Sequence, residues 1–327
     1  MTKPSLTRRR ASAVAIQICL SFLALGAIAA WSGTVQIWQA LSAPRWGWLL
    51  AAVVVASLQF PLLAARWWFV ARKLRVPLGY RRALGEYYLG TLLNQILPFG
   101  VLGDALRAVR HARRARNEPD PSPARVALAV VLERGSGQLA LWVVVLAVLP
   151  SWSDAIRRAH ATPDASTWLV ALALAAGVSV SLWFALRKQV WAYRLRGLAA
   201  SGARVLVLPT NFAVHSLLSL ALVLSHVVVF ACAAHSLGSS LPLLPALRVV
   251  PLVLVASTLP AFFAGWGVRE AAAAGLYQLA GLSPASGAAI ALVFGAVGLV
   301  ASAPGLLLLA STRAGSRVSS SDRLVAA

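Results

Sequence analysis

The chain has 327 residues, of which 59% are hydrophobic and only 12% are charged, and its mean hydropathy is +0.76. Soluble domains carry roughly 25% charged residues, so this composition excludes an ordinary soluble protein and predicts an all-α polytopic integral membrane protein with a single domain over residues 1–327. The net charge of +21 would favour nucleic acid in a soluble protein, but here it is typical of basic cytoplasmic loops, and we expect no nucleic-acid partner.

The first part of the chain predicts a cytoplasmic tail and two spans. Residues 1–11 are basic and precede an apolar run over residues 11–31. A cleaved signal peptide is the alternative interpretation of that run, but its length favours an uncleaved first span. A second span is expected over residues 46–70, with Pro61 as a kink. Four tryptophans bracket the short outer loop expected between these spans, as in an interfacial aromatic belt: Trp31, Trp38, Trp46 and Trp48.

Residues 83–106 predict a re-entrant element, because they are only moderately apolar and contain polar residues and helix breakers such as Asn94 and Pro98. Basic loops are expected on both sides, over residues 72–82 and 107–116. Two basic flanks conflict with a single crossing under the positive-inside rule. A hairpin that returns to the inner side removes this conflict, provided that protein or a water-filled cavity satisfies its non-helical backbone.

Four more spans and a second broken element follow along the chain. The spans are expected over residues 124–149, 166–186, 208–237 and 284–310, with an interfacial helix on the inner face over 187–206 and a disordered tail over 312–327. The segment 241–281 is predicted to be a second re-entrant element on the outer side. It is interrupted by prolines and glycines: Pro242, Pro245, Pro251, Pro260, Gly265 and Gly267.

The distribution of bases supports six spans with both termini in the cytoplasm. Most of the 30 bases fall in the proposed inner segments, and the outer loops contain only four: Arg45, Arg157, Arg158 and Arg248. The two broken elements then oppose each other, and their sequences echo one another as Leu97-Pro-Phe-Gly-Val-Leu-Gly-Asp-Ala-Leu-Arg107 and Leu259-Pro-Ala-Phe-Phe-Ala-Gly-Trp-Gly-Val-Arg-Glu270. Opposed broken elements are typical of the inverted repeats of transporters.

Acids and arginines inside apolar sequence are the candidate site residues, because charges at membrane depth are costly and mark functional sites. Four acids qualify: Glu86, Asp104, Glu133 and Glu270. Glu133 lies roughly 13 Å past Ala124 at about 1.5 Å per residue, near the midplane of a ~30 Å core. Ser136, Gly137 and Ala140 follow on the same helical face.

Two interpretations of these charges stay open at this point. In the first they form ion pairs that hold helices in register, with Glu133 on Arg269 or Arg107, Asp104 on Arg134, and Glu270 as an acid favoured by a helix dipole. In the second they form a lipid-headgroup site, because guanidinium groups bind phosphate in a bidentate manner and helix N-termini attract anions. For the three histidines of the fifth span, packed side chains are favoured over a proton relay: His215, His226 and His235.

Three motifs in this order resemble the signatures of the lysylphosphatidylglycerol synthase transmembrane, or flippase-like, family. They are Leu93-Asn94-Gln95-Ile-Leu-Pro98 with Gly103-Asp104 and Arg107, then Leu132-Glu133-Arg134, then Leu259-Pro260 with Gly265-Trp-Gly267-Val-Arg269-Glu270. The resemblance spans residues 15–311 and implies a protein that moves or handles lipids across the cytoplasmic membrane. Relatives in that family include the flippase half of aminoacyl-phosphatidylglycerol enzymes.

The chain departs from the family pattern at three points. The family usually has Gly-Gly-Asp where this chain has Leu102-Gly103-Asp104, which predicts a looser backbone approach there. Trp266 replaces a usual aliphatic residue between two glycines. The soluble aminoacyl-transferase domain is not expected in this chain, so we do not expect it to synthesise lysyl-phosphatidylglycerol.

The sequence therefore predicts a translocase for a lipid or polyprenyl-linked lipid in the bacterial inner (cytoplasmic) membrane, rather than an enzyme, without a cofactor or metal. Its substrate would carry an anionic or phosphate-bearing headgroup, and a lipid-synthesis enzyme is a possible partner. A non-transporting accessory subunit for a lipid-modifying enzyme or glycosyltransferase is the main alternative, and a membrane-embedded transferase with Asp104 or Glu133 as base is a third. The expected substrate-binding residues are Asn94, Asp104, Arg107, Glu133, Arg134, Arg269 and Glu270, and the expected structural residues are Pro98, Gly103, Pro260, Gly265 and Gly267.

Overall fold

The computed structural model describes residues 34–97, 102–115, 123–154, 209–258 and 265–308, together with residues 19, 23, 26 and 30. All regular structure in these ranges is helical, so the predicted all-α fold is confirmed. The helices are α1 Thr34–Ser42, α2 Trp46–Lys73, α3 Tyr80–Ile96, α4 Leu102–Ala115, α5 Pro123–Val148 with a 3-10 turn Leu149–Trp152, α6 Pro209–Ser236, α7 Leu243–Ala256, α8 Val268–Leu279 and α9 Pro284–Ser302.

Four of these helices are long and apolar enough to cross a membrane: α2, α5 with its 3-10 turn, α6 and α9. They coincide with the predicted second, third, fifth and last spans. The first span falls mostly outside the described residues, although residues 19, 23, 26 and 30 are helical. The fourth span, the interfacial helix and both tails lie wholly outside them, so the number of six spans stays a prediction.

Two segments predicted to be loops are helical. Residues 102–115 form α4, whereas the sequence predicted a basic loop from residue 107 onward. Alanine, leucine and arginine are strong helix formers, and two bases of this segment are paired: Arg110 and Arg114 both donate to the buried Glu86. The expected outer loop before α2 contains the short helix α1, and its Trp38 and the following Trp46 remain largely exposed.

The second broken element is interrupted later than the sequence predicted. Pro242 is the residue before α7, and Pro245 and Pro251 lie within α7, so none of these prolines ends the helix. Pro245 occupies the first turn, where the missing N–H has no partner in any helix. Helix α7 ends at Ala256. The backbone conformation that favours glycine occurs at Gly265 and Gly267, whose φ angles are +79° and +94°.

The first broken element is a closely packed pair of helices, α3 and α4. The N–H of Gly103 donates to the Asn94 side-chain oxygen at 2.7 Å. A Cβ atom added at Gly103 would lie 1.9 Å from the Gly90 carbonyl oxygen, so only glycine fits there. Leu102, which replaces the usual glycine of the family, points outward and is 39% exposed. The backbone approach expected to be looser is therefore retained by Gly103 itself.

Contacts between helix ends place the predicted inner and outer segments at opposite ends of the bundle. At one end, a ring nitrogen of His111 near the end of α4 lies 3.0 Å from the Pro77 carbonyl in the loop after α2. At the other end, the N–H of Arg45 donates to the Ser236 carbonyl at 2.7 Å. The α3–α4 pair thus returns to the end at which it begins, as a hairpin must. Which side of a membrane each end faces stays a prediction.

Small residues of α9 and of the helical turn at residues 305–308 allow α3 to pack closely against this segment. A Cβ atom at Gly298 would lie 3.1 Å from the Gln95 side chain, and one at Gly305 would lie 2.7 Å from the Tyr88 backbone. The two contacts are about two helical turns apart on each segment. They follow in opposite order along the two segments, Gly298 with Gln95 and Gly305 with Tyr88, so the segments run antiparallel. Glycine at these two positions therefore permits the close approach of the two segments.

We predict that Gly79 and Ala115 face the same side of the membrane and that Ser240 faces the opposite side. Single cysteines at these positions, in a background without Cys19 and Cys232, would be labelled with a membrane-impermeant maleimide. Labelling of Gly79→Cys and Ala115→Cys from opposite sides would show that residues 80–115 cross the membrane once, and the hairpin arrangement would be wrong.

We predict that Gly103→Ala destabilises the protein by at least about 1–3 kcal/mol. The added methyl group would collide with the Gly90 backbone, and overpacking of this kind costs that much because backbone atoms cannot move aside as a flexible side chain can. Gly47→Ala is the matched control, since a Cβ atom there meets nothing within 4 Å and alanine favours a helix over glycine. Thermal unfolding in detergent measures both variants. Equal melting temperatures for Gly103→Ala and the wild type would contradict the close α3–α4 contact.

Candidate functional site

A buried carboxylate, that of Glu133 on α5, is shared between two arginines from different helices. Arg66 on α2 donates to Oε1 through both Nε, at 2.9 Å, and Nη2. Arg107 on α4 donates through Nη2 to Oε2 at 3.2 Å. Glu133 is fully buried and both arginines are at most 5% exposed. The carboxylate therefore connects α2, α4 and α5 away from solvent.

Small and polar side chains make room for the Arg66 guanidinium. Gly137 lies one turn after Glu133, and a Cβ atom there would come within 2.7 Å of Arg66 Nη1. The same nitrogen donates to the Ser219 hydroxyl on α6 at 3.3 Å. The predicted polar face of α5, with Glu133, Ser136 and Gly137, is thus the face directed at α2 and α6.

The Arg107 guanidinium is enclosed by aromatic rings. Its central carbon lies 4.3 Å from the ring centre of Trp67 and 4.0 Å from that of Tyr87. Cation–π contacts of this kind strengthen when the cation is removed from water. Its Nε and Nη1 atoms are buried and have no hydrogen-bond partner among the described residues. Arg107 therefore retains N–H groups on two nitrogens that could serve an acceptor from outside the protein.

Asp104 contacts the remaining residues of this site. Its Oδ1 accepts from Arg134 Nη2 at 2.6 Å and lies 3.2 Å from Arg107 Nη2, and its Oδ2 accepts from the Asn94 amide at 3.0 Å. The Arg134 side chain is 43% exposed and that of Asp104 is 17% exposed, so this edge of the site is open. We call this set the polar cluster, consisting of Arg66, Asn94, Asp104, Arg107, Glu133 and Arg134.

The polar cluster carries more positive than negative charge. Its three guanidinium groups face two carboxylates, Asp104 and Glu133, and both carboxylates are fully engaged with arginines. The balance is one positive charge in excess. An uncompensated charge inside an apolar bundle is costly, which makes the cluster suited to an additional anion.

The third motif forms a separate ion pair at the start of α8. Glu270 Oε2 accepts the N–H of Gly267 at 2.6 Å, and its Oε1 accepts from Arg269 Nε and Nη2 at 3.0 and 2.6 Å. Arg269 also lies over the Trp266 ring at 4.7 Å. Glu270 thus makes the capping contact expected of an acid in a first helical turn, and it neutralises Arg269.

One face of α9 connects the two sites. The Arg269 guanidinium occupies the space above Gly295, where a Cβ atom would come within 2.0 Å of Nη2, and the Gln95 side chain lies against Gly298. Gly295 and Gly298 are separated by about 4.5 Å along the helix axis, at about 1.5 Å per residue. The third motif, at the start of α8, therefore approaches the tip of α3, where Asn94 binds Asp104.

The sequence identified two of these ion pairs and missed the others. The pairs Glu133–Arg107 and Asp104–Arg134 are present, whereas Arg269, the other partner considered for Glu133, is bound to Glu270. Arg66 was not recognised as a site residue. A base in an otherwise apolar part of α2 was the available signal, but its partner lies 67 positions away. Pro98 and Pro260 lie outside the described residues.

Comparison with known proteins gives one match. The family model described as the lysylphosphatidylglycerol synthase TM region matches residues 14–305, which includes all three motifs and every residue of the polar cluster. No curated protein and no solved structure matches the chain.

We predict that Glu133→Gln destabilises the protein by about 3–5 kcal/mol, because removing one partner of a buried pair leaves the other charge unpaired. Glu86→Gln is the matched control: Glu86 is also buried, but its partners Arg110 and Arg114 are 18% and 41% exposed and can be hydrated. Thermal unfolding in detergent should therefore show a clearly smaller loss for Glu86→Gln.

The double variant Arg66→Gln with Glu133→Gln removes one positive and one negative charge, so the cluster keeps the net charge that it has in the wild type. We expect it to lose less stability than the sum of the two single variants, because the charges interact directly. Additive losses would contradict a direct Arg66–Glu133 interaction.

Proposed function

The chain belongs to the family of the lysylphosphatidylglycerol synthase TM region, and we propose that it translocates a lipid or polyprenyl-linked lipid between the leaflets of the bacterial cytoplasmic membrane. The polar cluster would bind the headgroup while the acyl or prenyl chains remain in the bilayer. The family match supports a membrane protein concerned with lipids, and the charge balance of the cluster supports the choice of headgroup.

The observation that carries this proposal is the unbalanced charge of the polar cluster. Arg107 has two buried nitrogens whose N–H groups have no partner in the described part of the chain, and Arg134 is exposed at the edge of the same cluster. A phosphodiester carries one negative charge and accepts hydrogen bonds from guanidinium groups in a bidentate manner. Binding of one such group would balance the excess charge and satisfy the free donors.

The position of the cluster fits a headgroup inside the membrane. Arg66 lies about two helical turns before the end of α2, and Glu133 lies nearly three turns after the start of α5 at ~3.6 residues per turn. These distances place the cluster roughly 10–15 Å from the basic end of the bundle, inside a ~30 Å apolar core. A phosphate at this depth could only be stable if the protein replaced its hydration.

Transport fits these residues better than chemistry on the lipid. All four carboxylate oxygens of Asp104 and Glu133 already accept contacts from arginine or asparagine side chains, so neither carboxylate is free to act as a general base. Broken helix pairs such as α3–α4 and α7–α8 are the elements that rearrange around midplane sites in transporters.

Transport is tested directly with purified protein in proteoliposomes that contain a headgroup-labelled phosphatidylglycerol. Exposure of the label on the opposite leaflet, faster than in protein-free vesicles, is the expected result. A folded protein that gives no such exposure with phosphatidylglycerol or a polyprenyl phosphate would contradict translocation and favour an accessory role with a lipid-synthesis enzyme.

We predict that Arg134→Lys reduces the transport rate at least about tenfold while leaving the melting temperature nearly unchanged. Lysine keeps the positive charge beside Asp104 but loses the planar donor pair that binds phosphate. Arg113→Lys is the control, since Arg113 is an exposed base in the last turn of α4, away from the polar cluster. Transport at the wild-type rate by Arg134→Lys would mean that this arginine supplies charge alone.

The variant Arg269→Lys tests whether the Arg269–Glu270 pair takes part in transport together with the polar cluster. Lysine cannot reproduce the two contacts that Arg269 makes to Glu270 and the stacking on Trp266, so we expect reduced transport. If Arg269 acts only by supporting α8, the loss should follow a loss of folded protein measured by size-exclusion chromatography. A well-folded variant with reduced transport would place Arg269 on the headgroup path.

A further inference from the structure

His215 on α6 is a buried imidazole that contacts Ser136, three residues after Glu133 of the polar cluster. It is 4% exposed, and its Nε2 lies within hydrogen-bond distance of the Ser136 hydroxyl on α5. Ser219, one turn further along α6, binds Arg66. The charged groups that face His215 from neighbouring helices are Arg66 on α2 and Glu133 on α5; on α6 itself, Asn211 and Ser219 lie one turn to either side and are neutral.

The hydrogen bonds around Ser136 define which ring nitrogen of His215 carries the proton. The Ser136 hydroxyl donates its single hydrogen to the Glu133 carbonyl oxygen at 2.9 Å. The same hydroxyl can then only accept from His215, so Nε2 carries the proton in the neutral ring. Nδ1 is left with a free lone pair, and it is buried without a partner among the described residues.

The other histidines of α6 differ from His215 in this respect. Nδ1 of His226 binds the Leu222 carbonyl at 2.6 Å, and Nδ1 of His235 binds the Ala231 carbonyl at 2.8 Å. A carbonyl accepts only, so Nδ1 is the protonated nitrogen in both rings. These two side chains are packed histidines, as the sequence predicted, whereas His215 presents an unoccupied proton-accepting atom beside the cluster.

We propose that His215 Nδ1 binds a proton together with the anionic lipid headgroup, so that translocation is coupled to proton movement. This inference rests on the proposed function. The cluster already has one positive charge in excess, so a proton on His215 and a bound anion together would leave its net charge unchanged. A bound phosphodiester removes that excess, and the added proton then faces a neutral site that contains Glu133.

The coupling between headgroup and proton follows from linkage. If the anion increases the proton affinity of His215, protonation must increase the affinity for the anion by the same factor. One linked proton changes the anion affinity by up to about tenfold per pH unit. Binding should therefore strengthen as the pH falls.

His215→Gln tests this coupling, because the glutamine amide can still donate to Ser136 but cannot take up a proton. The matched control is His111→Gln. His111 is equally buried, one of its ring nitrogens lies 3.0 Å from the Pro77 carbonyl and its Nδ1 is also without a partner, but it lies at the basic end of α4 and outside the polar cluster. Both variants are first compared with the wild type by melting temperature.

The measurement is the affinity for short-chain phosphatidylglycerol in detergent as a function of pH, with inorganic phosphate as a second ligand. For the wild type and His111→Gln we expect affinity that rises several-fold to about tenfold per pH unit as the pH falls. For His215→Gln we expect a flat profile. If inorganic phosphate binds with the same pH dependence, the site recognises phosphate in general. If only the lipid shows the pH dependence, the site recognises the headgroup as part of the lipid.

Proteoliposomes loaded with a pH-sensitive dye give the transport readout. Lipid translocation by the wild type should change the internal pH, and translocation by His215→Gln should not. Translocation by the wild type without proton movement would overturn the proton coupling. An unchanged pH profile in His215→Gln would also overturn it. Either result would leave the proposed function intact. Loss of the pH dependence in His111→Gln would overturn the assignment to His215. Absence of lipid binding and transport by the folded wild type would overturn both proposals.

Discussion

The buried Glu133 carboxylate is the interaction on which the rest of the described structure depends. Its two oxygens are bound by arginines from α2 and α4, so that a single side chain of α5 holds three helices in register. A lone carboxylate or guanidinium in an apolar bundle would be destabilising by several kcal/mol or so, but together they compensate each other. This requirement also keeps α4, a strongly basic helix, packed against apolar spans.

Glycines make these ionic contacts possible in a closely packed bundle. Gly137 leaves room for Arg66, Gly295 leaves room for Arg269, and Gly103 allows α4 to approach α3 until Asn94 can bind Asp104. In each case the atom that a methyl group would meet is a guanidinium group or a backbone oxygen, neither of which can move without loss of its own contacts. The same spacing of small residues that permits helix packing in membranes here permits long polar side chains to be buried.

The charge balance relates this architecture to the proposed function. A cluster with equal numbers of acids and bases would be a structural lock, with no electrostatic reason to admit a ligand. The proposed headgroup binding rests on the excess guanidinium charge and the free N–H groups of Arg107, and the proposed proton coupling rests on the free Nδ1 of His215. The second site, at Arg269, is by contrast neutralised by Glu270 within the same turn of helix.

The sequence by itself determined the membrane class, the four spans that the structure describes, the three motifs and the importance of the buried acids, because these follow from hydrophobic length and from the cost of charge in an apolar segment. It also predicted the Asp104–Arg134 pair. Only the tertiary structure decided that Arg66 binds Glu133, that Arg269 is bound to Glu270 and that His215 faces Ser136. These pairings depend on the rotation and register of helices that are distant along the chain, and local periodicity does not specify how one helix turns toward another.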